Sequence, residues 1–338
     1  MRPAVELGEA SIDVADLVLL GLILGSWAEL EQRLERGLAL EAMDLPPIPA
    51  QEIRSAATYF RYGHNLVSAA DFKGWLGERS LVVADLSGVI RRRLLRERES
   101  QLHTDGSAPE IGGTMWAEAV CSGGLRKLAL AAADRLAAAH RLGAEAPGPG
   151  PEGREQPILE LAMERASIGL LTLGEAELRS RIRRLLALCD ALEQLQTQVA
   201  DEQAIERCLA SHLLDWLQIG GEEFALDTEG AALEARMLIV EDGMPLVEVA
   251  ERAGVAAAHR HLVLDGVTAE ANSALVATAP GEVAGPWLEA EQWRVVLVTA
   301  KEPPSPQEPV MRERAIQELM RDALDRTLAG RVIWPQAL

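Results

Sequence analysis

The sequence predicts a mostly α-helical protein that closes on a small α+β module. Three observations carry that expectation. The 338-residue chain is 48% hydrophobic but only 4% aromatic, so Leu and Ala supply the core, and both favour helix. Long tracts with helical apolar spacing are punctuated by Pro and Gly. The tracts rich in β-branched residues lie late in the chain, within 255–300.

The elements follow in order. Residues 1–10 read as a short strand or extended arm. Ser11-Ile12-Asp13 opens a helix whose spacing continues to Met43, where Pro46, Pro47 and Pro49 end it. Gln51–His64 is a second helix. Ser68 with Asp71 gives an S-x-x-D capping signal for a short helix that ends near Gly77. Val83–Glu99 follows, with Arg91, Arg92, Arg93, Arg96 and Arg98 on its later turns, where positive charge suits the macrodipole and a solvated face is expected. His103–Gly113 is a polar loop, and Thr114–Leu142 is an Ala-rich helix. Residues 144–157, dense in Pro and Gly, form the clearest linker. Ile158–Thr172, Glu175–Ala200 and Asp201–Leu217 are three more helices. Glu229–Asp242 reads equally well as helix or strand. Residues 259–265 are β-like, Thr268–Thr278 is a short helix, Trp293–Thr299 is a strand, and Glu308–Gly330 is a final amphipathic helix. One small antiparallel sheet is therefore expected within 255–300, with no comparable sheet in 1–250. The implied domains are 1–143, a linker 144–157, a helical connector 158–227 and a C-terminal module 228–338.

Charge and cysteine content exclude several function classes. The net charge is −19, against the basic surface that nucleic-acid and anionic-membrane binders require. Residues 1–143 hold 16 Lys+Arg against 19 Asp+Glu, a net of −3, so residues 144–338 carry −16. The three Cys at 121, 189 and 208 form no C-x-x-C pair, which fits a reducing compartment rather than a disulfide framework or zinc site. The apolar run Val14–Trp27 contains Asp16 and follows Glu6, Glu9 and Asp13. That charge order is opposite to a signal peptide's, and the run is short for a membrane span. A cytoplasmic protein with no cofactor and no metal is expected. Val247–Val255 could open a helix-turn-helix, but turn and strand follow it rather than a basic recognition helix.

The tail carries the most specific pattern. Pro280-Gly281-Glu282-Val283-Ala284-Gly285-Pro286 leads to the strand Trp293–Val298 and the exit Lys301 to Ser305. Gly281 and Gly285 can supply unusual φ, and Pro286 fixes the entry to an edge strand. This stretch resembles the end of the parvulin-type peptidyl-prolyl isomerase domain. Residues 58–76 resemble the helical chaperone segment of SurA-type and PrsA-type folding factors, and the whole is similar to a cytoplasmic offshoot found beside ribosomal peptide maturation systems. The fold class implied is mostly α, with a SurA-like helical N-terminal region, further helices and a small degenerate parvulin-like α+β C-terminal module.

The resemblance also implies where the site lies. The family's opening strand carries a His just before Ile-Leu-Val, and here Met237, ahead of Leu238-Ile239-Val240, takes that place. The long helix that normally follows is absent from this reading. A second His follows an aromatic on the last strand, and here Trp293 is followed by Arg294. The candidate peptide-binding residues are Trp287, Trp293, Arg294, His259 and His261. His259 and His261 share one face if they lie on a strand. Arg294 could clamp a peptide carbonyl or carboxylate, or pair with Glu289 or Glu291 on a solvent face. The other Trp side chains are expected in the core. Three functions remain open: a chaperone-like binder of peptide or unfolded segments, an active peptidyl-prolyl isomerase with His259 or His261 replacing a lost His, and a docking subunit of a peptide-modifying enzyme.

Overall fold

The computed structural model describes residues 3–100, 112–143, 153–167, 171, 173–329 and 332–333. Among them it contains fourteen α-helices and two antiparallel sheets, so the mostly α expectation holds. Packing divides the chain into residues 1–195 with 323–338, and residues 196–322. The composition-based boundaries at 143, 157 and 227 lie elsewhere. Most of the linker, 144–152, lies outside the described residues. Its end is helical, because α8 (Glu155–Ser167) starts there and Glu155 is buried.

The first unit opens on a hairpin of β1 (Pro3–Leu7) and β2 (Ala10–Asp13), and β7 (Val332–Ile333) pairs with β1. The sheet expected to be absent from 1–250 is therefore present in small form. Asp13 caps α1 (Val14–Ile23): its side chain accepts from the Asp16 amide, and Asp16 returns the contact. The single long helix expected over 11–43 is broken at Gly25, whose φ of 73° lies in the left-handed region, and α2 (Ser26–Ala42) follows. Next come α3 (Ala50–Gly63), α4 (Ala69–Glu78) with its Ser68 cap on the Asp71 amide, α5 (Val83–Arg98), α6 (Gly112–Cys121) and α7 (Gly124–Arg141). The α5 arginines do not form a uniform solvated face. Arg92 is buried against Glu118 with help from Glu41, and Arg96 reaches the same carboxylate. Burial outweighs Glu118 there and lowers the Arg96 guanidinium from its ordinary value. After α8 runs α9 (Glu175–Val199), whose Arg181 and Arg184 neutralise the buried Asp16.

The second unit begins with α10 (Glu202–Ser211) and is built on a four-stranded sheet in the order β4-β3-β6-β5. These strands are β3 (Gln218–Leu226), β4 (Ala258–Val263), β5 (Val283–Glu289) and β6 (Gln292–Glu302). The expected confinement of the sheet to 255–300 misses β3, which pairs with both β4 and β6. Between β3 and β4 lie α11 (Glu229–Val240) and α12 (Leu246–Arg252), so the ambiguous 229–242 segment is a helix. Between β4 and β5 lies α13 (Ala269–Ala277), and α14 (Pro309–Leu328) follows β6.

The two sheet faces bury separate cores. On one, Phe224, Leu226, Val295 and Leu297 pack with Ala232 and Ala235 of α11 and with Leu246 and Val249 of α12. On the other, Ile219, Trp287, Val296 and Val298 pack with Ala271 and Leu275 of α13. Trp27 and Trp216 are buried as expected, Trp75 and Trp116 are partly buried, and Trp334 lies outside the described residues. No helix among the described residues is long and apolar enough to cross a membrane.

Candidate functional site

Strand parity decides which side chains meet. Ala225 pairs with Arg294, Trp287 pairs with Arg294, and Gly221 pairs with Arg260. Alternation therefore sets Glu223, Arg260, Trp287, Glu289 and Arg294 on the face that carries α13. His259 pairs with Glu222, His261 with Gly220, and Trp293 with Leu226, which places these three on the opposite face. The five candidate peptide-binding residues are thus divided by the sheet. Trp287 is 1% exposed and fills the α13-side core. Trp293 is half-buried against the α11-side core. His259 is 89% exposed, with Nδ1 3.8 Å from a Glu222 carboxylate oxygen.

Arg294 stands in a closed lattice of four charges. Its Nη1 donates to Glu223 Oε1 at 2.9 Å, and its Nε lies 2.9 Å from Glu289 Oε2 without the alignment of a hydrogen bond. Arg260 Nη1 donates to both Glu223 oxygens at 2.8 Å, and Arg260 Nη2 donates to the two Glu289 oxygens at 3.1 and 2.9 Å. Two guanidiniums and two carboxylates cancel. Burial alone would lower the Arg260 guanidinium, but the bonds from Glu223 and the charge of Glu289 outweigh it and hold the group above its ordinary value. The pairing of Arg294 with Glu289 was legible in the sequence. Glu223 and Arg260 were missed. Glu223 sits on a strand masked by Gly220-Gly221, and Arg260 is flanked by two His that drew attention to the other face.

The Gly-Pro turn behaves as its sequence implies. Gly281 and Gly285 have φ of 91° and 98°, and a Cβ on Gly285 would stand 2.6 Å from the Arg294 carbonyl oxygen. Glycine at 285 thus lets β5 close onto β6 beside the lattice. Among the described residues no group of His, Cys, Asp and Glu could hold a metal ion. An open groove of about 770 Å³ lies away from the lattice, between Leu214 and the Asn272–Val276 side of α13, with Leu264 and Val267 in its lining.

Residues 235–240, which the sequence offers as an opening strand with Met237 in its polar position, instead lie on α11, and the strand that precedes them is β3. The polar residue that β3 contributes to the α13 face is Glu223, and β6 contributes Arg294 to the same lattice.

No family model matches the chain, and no curated protein matches it. Several solved structures are similar, three of them as follows. The foldase protein PrsA from Streptococcus pneumoniae is 11% identical over 64% of this chain and 88% of its own, with a TM-score of 0.28. The foldase protein PrsA from Lactococcus lactis is 8% identical over 99% of this chain and 95% of its own, with a TM-score of 0.29. A structure from a study of PEB4 and the periplasmic protein Cj1289, two SurA-like chaperones of Campylobacter jejuni, is 8% identical over 62% of this chain and 83% of its own, with a TM-score of 0.21. At scores this low, the functional reading rests on the residues of the sheet.

Proposed function

We propose that the protein is a chaperone-like binder of peptide or unfolded protein segments, built on a parvulin-like module that no longer isomerises proline. One observation carries the reading. Where the resemblance puts a His on the last strand, the chain has Arg294, locked with Glu223, Arg260 and Glu289 into a neutral lattice. Prolyl isomerisation must lower a barrier of about 18–20 kcal/mol by favouring a twisted amide. Guanidiniums whose charge two carboxylates already neutralise lend that amide little electrostatic help. Trp287 fills the adjoining core, and His259 and His261 leave from the other face.

Binding then falls to open apolar surface rather than to a catalytic cleft. Leu214 and Val276 are 64% and 41% exposed beside the groove on α13, and Tyr59 and Tyr62, at 78% and 66%, stand one helical turn apart on α3. A cytoplasmic setting, a precursor of a ribosomal peptide maturation system as client and a peptide-modifying enzyme as neighbour complete the proposal. They rest on the sequence resemblance and on the reduced state implied by three buried free cysteines.

Two assays on the full chain test this. A protease-coupled assay on a short X-Pro peptide should show no acceleration over the uncatalysed rate, and the same preparation should suppress aggregation of a denatured client at stoichiometric ratio. Isomerase turnover by the wild-type chain above the uncatalysed rate would sink the non-catalytic half. Failure to suppress aggregation and to bind any unfolded segment would sink the other.

A further inference from the structure

Helix α11 is apolar on two opposite faces. Its inner face sends Ala232, Ala235, Leu238 and Ile239 into the core beneath the sheet. Its outer face sets Leu233, Met237 and Val240 in a row at i, i+4 and i+7, and these side chains are 44%, 53% and 57% exposed. A helix resting on one core needs one apolar stripe. The second stripe adds nothing to that core, and contiguous exposed apolar surface on a soluble domain marks a docking site. The helix face carries a shallow cavity of about 390 Å³, lined by Leu233, Met237 and Leu238 with Glu234, Glu241 and Asp242. Methionine at its centre suits a surface that adapts to its occupant.

Charge selects the occupant. Among the described residues, no cation pairs with Glu234, Glu241 or Asp242, and all three are exposed. The lining of the cavity contains no base. Arg236 stands on the opposite flank of the stripe, one turn from Leu233 and one from Val240. Two copies of this chain meeting antiparallel through the stripe would oppose carboxylates to carboxylates, so that pairing of a second copy is disfavoured.

We propose that the outer face of α11 docks an amphipathic helical segment of another protein, with its apolar side on Leu233, Met237 and Val240 and with Lys or Arg along the flank that meets Glu234 and Glu241. The inference deepens the peptide-binding reading and rests on it, since it names the client chemistry and the place.

The test uses the full chain and two fluorescein-labelled synthetic amphipathic helices. Both carry Leu at i, i+3, i+4 and i+7, with Lys at the remaining positions of one and Glu at those of the other. Anisotropy titration at low salt should show the Lys helix binding at least tenfold more tightly than the Glu helix, with the gap shrinking as salt screens it. The double variant Glu234→Lys/Glu241→Lys should reverse the order. Leu233→Ser/Met237→Ser should weaken both helices at least tenfold. All four positions are exposed, and an unchanged far-UV spectrum shows that each variant folds. Equal affinity for the two helices, or binding indifferent to these variants, overturns the inference. So does a dimer, seen by sedimentation, that Leu233→Ser/Met237→Ser dissolves. If aggregation suppression persists through any of these outcomes, the binder reading stands without this site. If the wild-type chain neither suppresses aggregation nor binds either helix, both fall.

Discussion

Replacing Glu223 by Ala should unbalance the lattice more than any other single change to it. The carboxylate is buried, at 7% exposure, and it accepts two bonds of 2.8 Å from Arg260 and one of 2.9 Å from Arg294. Its loss leaves two guanidiniums to share Glu289. Breaking one side of a fully buried pair costs about 3–5 kcal/mol, because the partner charge stays desolvated. Here Arg260 and Arg294 keep 22% and 20% of their side chains in contact with solvent, so water recovers part of the loss. The expected cost is about 2–4 kcal/mol for Glu223→Ala. Arg294→Ala removes one bond and one ion contact and should cost about 1–2 kcal/mol. Both should loosen the amides of β3 and β6 in native-state hydrogen exchange, which reads the second unit without the first. The double variant should cost about 1–2 kcal/mol less than the sum of the singles, because the two residues share one contact. Additive costs, or a Glu223→Ala penalty below about 0.5 kcal/mol, would refute the lattice as a stabilising unit and leave it a set of surface pairs.

Gly285→Ala should cost about 2–3 kcal/mol, since the new Cβ would meet the Arg294 carbonyl oxygen at 2.6 Å with φ at 98°; a protein as stable as the parent by urea unfolding would contradict this. Asp134→Asn should stabilise the chain at neutral pH. Burial is the main cause that raises the Asp134 carboxyl above its ordinary value, with Asp325 adding to it against Arg135. The folded state therefore binds the proton more tightly than the unfolded state, and stability is lost as pH rises from the ordinary carboxylate value through the raised one. The gain in Tm from Asn should vanish below that window; a gain equal at all pH values would exclude the titration as its source. The Cys121 thiol, pushed up to about 12 chiefly by burial, should resist alkylation in the native chain at pH 8 and react once urea unfolds it.

The legible parts of the sequence were those with local signals. Ser68 and Asp71 gave the α4 cap, Thr268 the α13 cap, and Gly281 and Gly285 the turn, because a cap or a positive φ is decided within a few residues. The α1–α2 boundary was hidden because Gly25 is a single residue inside continuous apolar spacing. β3 was hidden for a different reason. Its Gly220-Gly221 pair lowers β-propensity, yet a Cβ on Gly221 would stand 2.8 Å from the Leu297 carbonyl oxygen, so the glycine permits the close approach at the bulge in the β3–β6 ladder. The same residues that erase the strand from the sequence make its pairing possible.

The misplacement of β3 propagated into the site. A strand at 235–240 would leave Arg294 only the acids of its own hairpin, Glu289 and Glu291, as partners. Moving the strand to 218–226 brings Glu223 beside Arg294, with Arg260 reaching in from the edge strand β4. Arg260 was unreadable from spacing, because its position is defined by a partner 37 residues away. A local reading of β6 sees one arginine on a strand. The sheet makes it one corner of a four-charge lattice, and that is why Arg294→Ala is expected to cost folding stability rather than only affinity for a bound peptide.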